Sequence, residues 1–461
     1  MTQRRHYEPR AFAQGVMDHF CAHPRCALWG KPGVGKSVMT MHYLDILHNV
    51  VGESRPTLIL APLRVARDVW SNECEKWDSL SSLSVSTIVG TPTERNAAMR
   101  KDVPIYVTNY ENISWLIENL GTWPYGTVVA DECVRLKSFR TRQGGERAKA
   151  LGKVAHKHVE RFIELTGTPS PNGLADLWGQ AWYLDKGERL GKTYTAFQER
   201  WFRPIKMGNF TKWQAMPHAQ QEIQELLGDI CMSLDPKDWF DLKAPIVNVI
   251  EVELPPSARK VYKELEKDFF TQIGSHEIDA FSAASKSSKL LQCCVGALYT
   301  DPNDKSYVVV HDEKIEALRE LAEGTGEDPL LVVYQFKSDL CRLRLAFPDH
   351  LDLSVDHDLR KAKVGRGKIW LAQPASVGEG IDGLQEHCNT IVFFAQDWNL
   401  GLHDQILERV GPMRQYQSGK DRPVFVHYIV ARNSIDEVVM ERRSSKRDVQ
   451  ELLLEYVKRK K

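Results

Sequence analysis

The sequence is 461 residues long and carries no net charge, with 61 lysines and arginines set against 61 aspartates and glutamates. A protein that attracted a polyanion through its overall field would show a surplus of one sign, so any nucleic-acid surface here has to be a local patch. The candidates are the basic clusters near the ends, at Arg4-Arg5 and from Arg442-Arg443 to Lys461. Such runs are more often solvated tails than binding sites. The nine cysteines form no C-x-x-C pair, and Cys293-Cys294 sits in an apolar helical run. That excludes a disulfide framework and predicts free, buried thiols in a reducing compartment. Cys21, His23 and Cys26 lie close together, but no second ligand pair follows them at zinc-finger spacing. Apolar runs approaching the ~20 residues of a membrane span are absent, and Met1 to Arg10 contains no apolar core of a secretion signal. A cytoplasmic location is the expectation.

What the chain does contain is a phosphate-loop pattern. Gly30, Lys31, Pro32, Gly33, Val34, Gly35, Lys36 and Ser37 match G-x-x-x-x-G-K-[ST] without exception. The apolar run Cys26 to Trp29 ahead of it reads as a strand, and Val38 to Leu47 behind it as an amphipathic helix. In that context the glycines let backbone N–H groups turn around phosphates, and the helix N-terminus adds its positive dipole end. Lys36 reaches the β and γ oxygens and Ser37 is a Mg²⁺ ligand. The expected ligands are a nucleoside triphosphate and magnesium.

The length is that of two or three domains. Short apolar strands alternate with helical segments: Thr57–Ala61 then Val65–Trp77, Pro104–Val107 then Glu111–Leu120, Thr127–Ala130 then 144–156, Arg161–Leu165 then 173–184. This pattern predicts βαβ units and a parallel sheet, whose working residues sit at the carboxyl ends of the strands. From Gly187 to Lys243 the alternation lapses into a stretch of aromatics and basic residues, among them Phe197, Arg200, Trp201, Arg203 and Trp213. It reads as a mainly helical connector, whose aromatics either stack on bases or form a small satellite core. Alternation resumes with strands at Ile246–Val252, Leu330–Tyr334, Lys368–Ala372, Thr390–Phe394 and Val424–Val430. A helix over 434–457 closes the chain. The expected organisation is therefore residues 1–186, a connector at 187–243, and a second α/β domain at 244–461 with no phosphate loop of its own.

Four further stretches carry chemistry. Asp131-Glu132 ends a hydrophobic strand, which suits one carboxylate for Mg²⁺ and the other for orienting and deprotonating water. Thr166-Gly167-Thr168-Pro169 places two hydroxyls at another strand end, either to sense the nucleotide or as a plain turn. In the second domain, the small residues of Ser376 to Asp382, including Gly378, permit close approach to a nucleotide or nucleic-acid phosphate. Beyond them Arg409, with Arg414 as the runner-up, is placed to stabilise charge on the γ-phosphate.

In this order the motifs resemble those of superfamily-two helicases, specifically the Swi/Snf-like DNA translocases and their compact bacteriophage members. Tyr7 to Gln14 is similar to the adenine-recognising Q motif, and Gly30 to Ser37 to motif I. Leu60 to Arg64, with Pro62, resembles motif Ia, and Thr108-Asn109-Tyr110-Glu111 motif Ib. Asp131-Glu132 and Thr166 to Pro169 resemble motifs II and III. Val333 to Phe336, with Gln335, resembles motif IV, Ser376 to Asp382 motif V, and Gln405 to Arg414 motif VI. The resemblance implies two RecA-like lobes in tandem with ATP in the cleft. It implies nucleic acid along motifs Ia, Ib, IV and V, most of all double-stranded DNA, and a monomer in the host cytoplasm if phage-encoded. Dependence on single-stranded DNA or RNA, or a nucleotide-switched scaffold, are the alternatives. The chain departs from the family pattern at Cys133-Val134, where Ala/Gly-His is usual, at Pro412 in place of the second motif VI arginine, and at Asp382 in place of asparagine.

Overall fold

The computed structural model describes residues 4–31, 33–142, 144–170, 173–207, 210–235, 238–240, 242–275, 287–300, 306–377, 381–420 and 422–445. Pro32 and Gly378 lie outside these residues, as does the part of the last expected helix beyond Ser445. The chain divides into two compact units, the first built on Met1–Lys206 with Thr211–Asp241 and the second on Leu242–Lys461. None of the helices among the described residues is long and apolar enough to cross a membrane.

The first unit is built on a seven-stranded parallel sheet. In chain order its strands are β1 (Arg25–Gly30), β2 (Thr57–Ala61), β3 (Val85–Ile88), β4 (Ile105–Asn109), β5 (Thr127–Asp131) and β6 (Arg161–Thr166). After a separate two-stranded ribbon, β7 (Phe202–Met207) with β8 (Phe210–Ala215), comes the last member, β9 (Cys231–Leu234). The spatial order is β3-β4-β2-β5-β6-β1-β9. Every residue of β2 is buried, and its alternate side chains feed two different cores. Leu58 and Leu60 join the cluster on one face of the sheet, while Ile59 and Ala61 join the cluster on the other. A strand covered on both faces has no polar position, which is why its sequence reads as an unbroken apolar run. Each such leucine contributes roughly 1.5–3 kcal/mol on burial.

The second unit repeats the scheme with β10 (Ile246–Val252), β13 (Leu330–Val333), β14 (Leu351–Asp352), β15 (Ile369–Ala372), β16 (Thr390–Phe393) and β17 (Phe425–Ala431). The order is β10-β17-β16-β13-β15-β14, again parallel throughout. The hairpin β11 (Ala297–Tyr299) with β12 (Tyr307–Val309) stands apart from the sheet. Leu330 and Val332 face one core, Leu331 and Val333 the other. A buried ion pair, Lys314 Nζ to Asp436 Oδ2 at 2.6 Å, ties the helix Glu313–Gly324 to the helix Ile435–Ser445.

Two expectations need correction. The stretch 187–243 is not a mainly helical connector: alongside the helices Tyr194–Trp201 and Ala219–Leu227 it holds β7, β8 and β9. Strand β9 pairs with β1, from Ala27 opposite Cys231 to Gly30 opposite Leu234, and so completes the first sheet. Four residues with a partner about two hundred positions away leave no local signal. Phe197 and Trp201 of this stretch are core rather than a stacking surface, since both are fully buried. The expected helix Val65–Trp77 also opens differently, as a π-helical segment Val65–Val69 before the α-helix Trp70–Lys76.

Candidate active site

The carboxyl ends of three adjacent strands, β5, β6 and β1, carry the expected chemistry of the first unit. Strand β1 ends at Gly30, and Gly33 and Gly35 take positive φ angles of 87° and 93°. These angles are open to glycine at little cost and turn the loop into the helix Lys36–Asp45. A Cβ at Gly30 would come within 2.8 Å of Val34, so the loop closes only around a bare Cα. Lys36 is buried and its Nζ donates to Gly30 O at 2.6 Å, which lays the ammonium across the mouth of the loop. Ser37 follows on the first turn of the helix, half-buried.

Arg10 holds the loop from outside. Its guanidinium donates to the carbonyls of Gly33 and Val34, both at 3.0 Å. Gln14, expected to read adenine, donates to Asp18 one helical turn away at 2.8 Å. Lys31 pairs with Asp235 at 3.0 Å, just past the end of β9.

Asp131 lies at the tip of β5, buried, and is gripped from two sides. The indole N–H of Trp70 donates to its Oδ2 at 3.2 Å, and the hydroxyl of Tyr110 donates to its carbonyl at 2.8 Å. Burial, then the neighbouring Glu132 carboxylate, pushes the Asp131 carboxyl up to about 7, with Lys36 pulling the other way. Two carboxylates crowded into a dry strand end are the donor set that a divalent cation neutralises, so Asp131 and Ser37 fit the expected magnesium. Glu132 adopts φ 54° and ψ 55°, a left-handed conformation that costs a non-glycine residue about 1–3 kcal/mol. The Thr166 hydroxyl donates to Glu132 Oε2 at 3.2 Å and accepts from Thr168 N, also at 3.2 Å. Cys133 is buried; its thiol donates to Gln180 Oε1 at 3.1 Å, and the Gln180 amide donates to Pro169 O at 2.7 Å. Gln180 thus links the loop after β5 to the loop after β6.

A family model of the SNF2-related domain matches residues 17–300, more than half of the chain. The chain belongs to the SNF2-related family. It is 46% identical to protein p41 of the Acyrthosiphon pisum secondary endosymbiont phage 1, over 98% of this chain and 99% of that one. It is 23% identical to the Mus musculus SWI/SNF-related matrix-associated actin-dependent regulator of chromatin subfamily A member 1, and 21% identical to the ISWI chromatin-remodeling complex ATPase ISW1 of Saccharomyces cerevisiae. Those matches cover 90% and 92% of this chain but only 40% and 38% of the relatives' length. Among solved structures, the Sulfolobus solfataricus SWI2/SNF2 ATPase core in complex with dsDNA is similar at 21% identity and a TM-score of 0.44, over 96% of this chain and 91% of that one. As an SNF2-family member the protein is an ATP hydrolase.

The second SNF2 unit holds its expected site residues differently. Arg409, in the last turn of the helix Leu400–Val410, donates to Ile381 O at 2.9 Å. That helix stops at Gly411, and Pro412 opens a new one, Pro412–Gln417, at the position where its missing N–H is harmless. The restart aims Arg414 back at Asp382, to which it pairs at 3.0 Å. The two sequence departures, aspartate in motif V and the displaced arginine in motif VI, are therefore partners. Ser376 donates its hydroxyl to Gln373 O at 3.0 Å. The backbone N–H groups of Gln335 and Phe336 are capped by the buried Asp339, at 3.2 and 2.8 Å.

Of the residues expected to line nucleic acid, Thr108 and Asn109 are buried and occupied. Thr108 donates to Ile88 O at 2.7 Å, and the Asn109 amide donates to Glu111 at 2.8 Å. Pro62 is buried at the end of β2, and Arg64 is half-buried two residues on. Arg10, Trp70, Tyr110 and Gln180 were not singled out from sequence. Arg10 and Tyr110 lay inside quoted motifs, whereas Trp70 and Gln180 carry no local signal for a role set by contacts dozens of residues away.

Proposed function

We propose that the protein is an ATP-driven translocase on double-stranded DNA. The observation that carries this reading is the convergence of Lys36, Asp131, Glu132 and Thr166 at three neighbouring strand ends of an SNF2-family chain. Lys36 contacts the β and γ oxygens of ATP, and the loop N–H groups hold the phosphates. Ser37 and Asp131 would hold magnesium, which when bound would supply charge neutralisation on those oxygens. Glu132, oriented by Thr166, accepts the proton of the attacking water. Arg409 of the second unit meets the charge that develops on the γ-phosphate, with Arg414 next in line. Repeated cycles of this hydrolysis drive the motor along its track. Pro62, Arg64, Gln335 and Ser376, at the carboxyl ends of strands, are the proposed backbone contacts. The duplex is favoured over a single strand because the mouse and yeast relatives are named for chromatin, whose DNA is double-stranded.

The test is ATP hydrolysis measured without polymer and with duplex DNA, single-stranded DNA or RNA, using Lys36→Ala as control. Strong stimulation by duplex alone is expected. Equal turnover in all four conditions would remove the motor reading, and stimulation by RNA or single strands alone would reassign the track.

A further inference from the structure

Past the end of β9, Asp235, Trp239 and Phe240 lie beside the phosphate loop and the residues that hold it. Asp235 pairs with Lys31 of the loop at 3.0 Å. Four to five residues later come two aromatics. Phe240 sits beneath the guanidinium of Arg10, 5.6 Å from the ring centre, and Arg10 is the residue that clamps Gly33 and Val34. Trp239 meets Phe12 edge-to-face, with centroids 5.5 Å apart, and Phe12 also contacts Phe240 at 6.2 Å. Phe12 is almost fully buried, but Trp239 is 48% exposed, an unusual outlay for the largest apolar side chain in a region this well packed. An indole anchored at one edge and open on its surface, beside a loop built for a triphosphate, is the form of a stacking platform. Gln14, the residue first expected to recognise the base, is engaged with Asp18.

We infer that Trp239 is the surface on which the base of the bound nucleoside triphosphate stacks, with Phe12 and Phe240 fixing the angle of the indole. This rests on the nucleotide-binding reading above. The phosphates fix one end of the ligand at the loop, and the platform fixes the other. An aromatic face accepts any base, so the site supplies affinity without hydrogen-bond selection. A base of the DNA track is the competing occupant. The anchoring of Trp239 to Phe12, two residues beyond the arginine that clamps the phosphate loop, favours the nucleotide.

Calorimetric titration of the full chain with a non-hydrolysable ATP analogue, and separately with tripolyphosphate, tests this. Trp239→Ala is expected to weaken the analogue by about tenfold or more, the magnitude typical of one base–aromatic stack. Tripolyphosphate, which has no base, should bind as tightly as to wild type, and this also verifies that the loop is folded. Trp239→Phe should restore most of the loss. Unchanged analogue affinity would overturn the assignment, and so would an equal loss for tripolyphosphate or a loss confined to duplex DNA. If wild type and Trp239→Ala bind the analogue alike while Lys36→Ala does not, only the platform fails. If wild type binds no analogue, both readings fall.

Discussion

The two units share one architecture and hold their functional side chains in opposite ways. In the first, the polar groups bond to one another across strand ends: Thr166 to Glu132, Trp70 and Tyr110 to Asp131, Lys36 to the loop it closes. In the second, the expected residues bond to their own neighbourhood, Arg409 to Ile381 O and Arg414 to Asp382. The first unit has therefore spent backbone strain at Glu132 and crowded two carboxylates to build a surface waiting for a ligand. The second keeps both arginines engaged within its own fold. Its buried charges are engaged as well, with Lys314 paired to Asp436 between two helices and Asp339 capping the chain at Gln335 and Phe336.

The sharpest way to break this comparison is to remove Arg409. On the proposed reading, in which the arginine acts only on charge formed in the transition state, Arg409→Ala should lower kcat by about 10³–10⁵ while nucleotide binding persists. Arg414→Ala should cost far less, since its first task is pairing with Asp382. Reversed magnitudes in steady-state kinetics would move the finger role to Arg414.

A second cut tests the buried ion pair. Asp436→Ala leaves Lys314 charged and buried, which should cost about 3–5 kcal/mol of stability, read as a lower denaturant midpoint. Replacing both residues by apolar ones of similar volume should recover much of it, so a double variant no better than the single would discount the ion pair.

Asp339 adds a pH signature. Burial raises its carboxyl from the ordinary aspartate value to about 6, the capping N–H groups of Phe336 and Gln335 pulling it down. The folded state therefore holds this proton more tightly than the unfolded state. Stability from this group is present below about pH 4 and is lost as the pH rises through about 6, a change on the order of 2–3 kcal/mol. Asp339→Asn keeps a capping oxygen and cannot ionise, so the stability difference from wild type should shift across that window. A difference independent of pH would show that Asp339 does not titrate there.

The smallest effect belongs to the first unit. Thr166→Val removes the hydroxyl that orients Glu132, and should lower kcat by about tenfold, the lower end for a hydrogen bond to a charged group. The KM for ATP should stay as it is. A rise in KM with unchanged kcat would make Thr166 a binding residue instead.

What could be read in the sequence was whatever is encoded locally. Gly30 to Ser37 announces a phosphate loop because its turn demands glycines at fixed offsets, and β2 and β10 matched their expected limits, Thr57–Ala61 and Ile246–Val252. Asp131-Glu132 was legible because a buried strand must end where its carboxylates begin. The short strands β3, β9 and β14 escaped notice, since two to four residues make no period. Thr108 and Asn109 matched a motif in type, yet their neighbours turn both side chains inward.

By itself the sequence determined the two-sheet plan, the phosphate loop and the pair of carboxylates, because hydrophobic periodicity and turn chemistry act over a few residues. Only the tertiary structure decided which side chains hold those groups in place. Trp70 reaches Asp131 from 61 positions away, Arg10 reaches Val34 from 24, and Arg414 reaches Asp382 from 32. Those contacts depend on where strands pair and helices pack, and no local pattern carries that information.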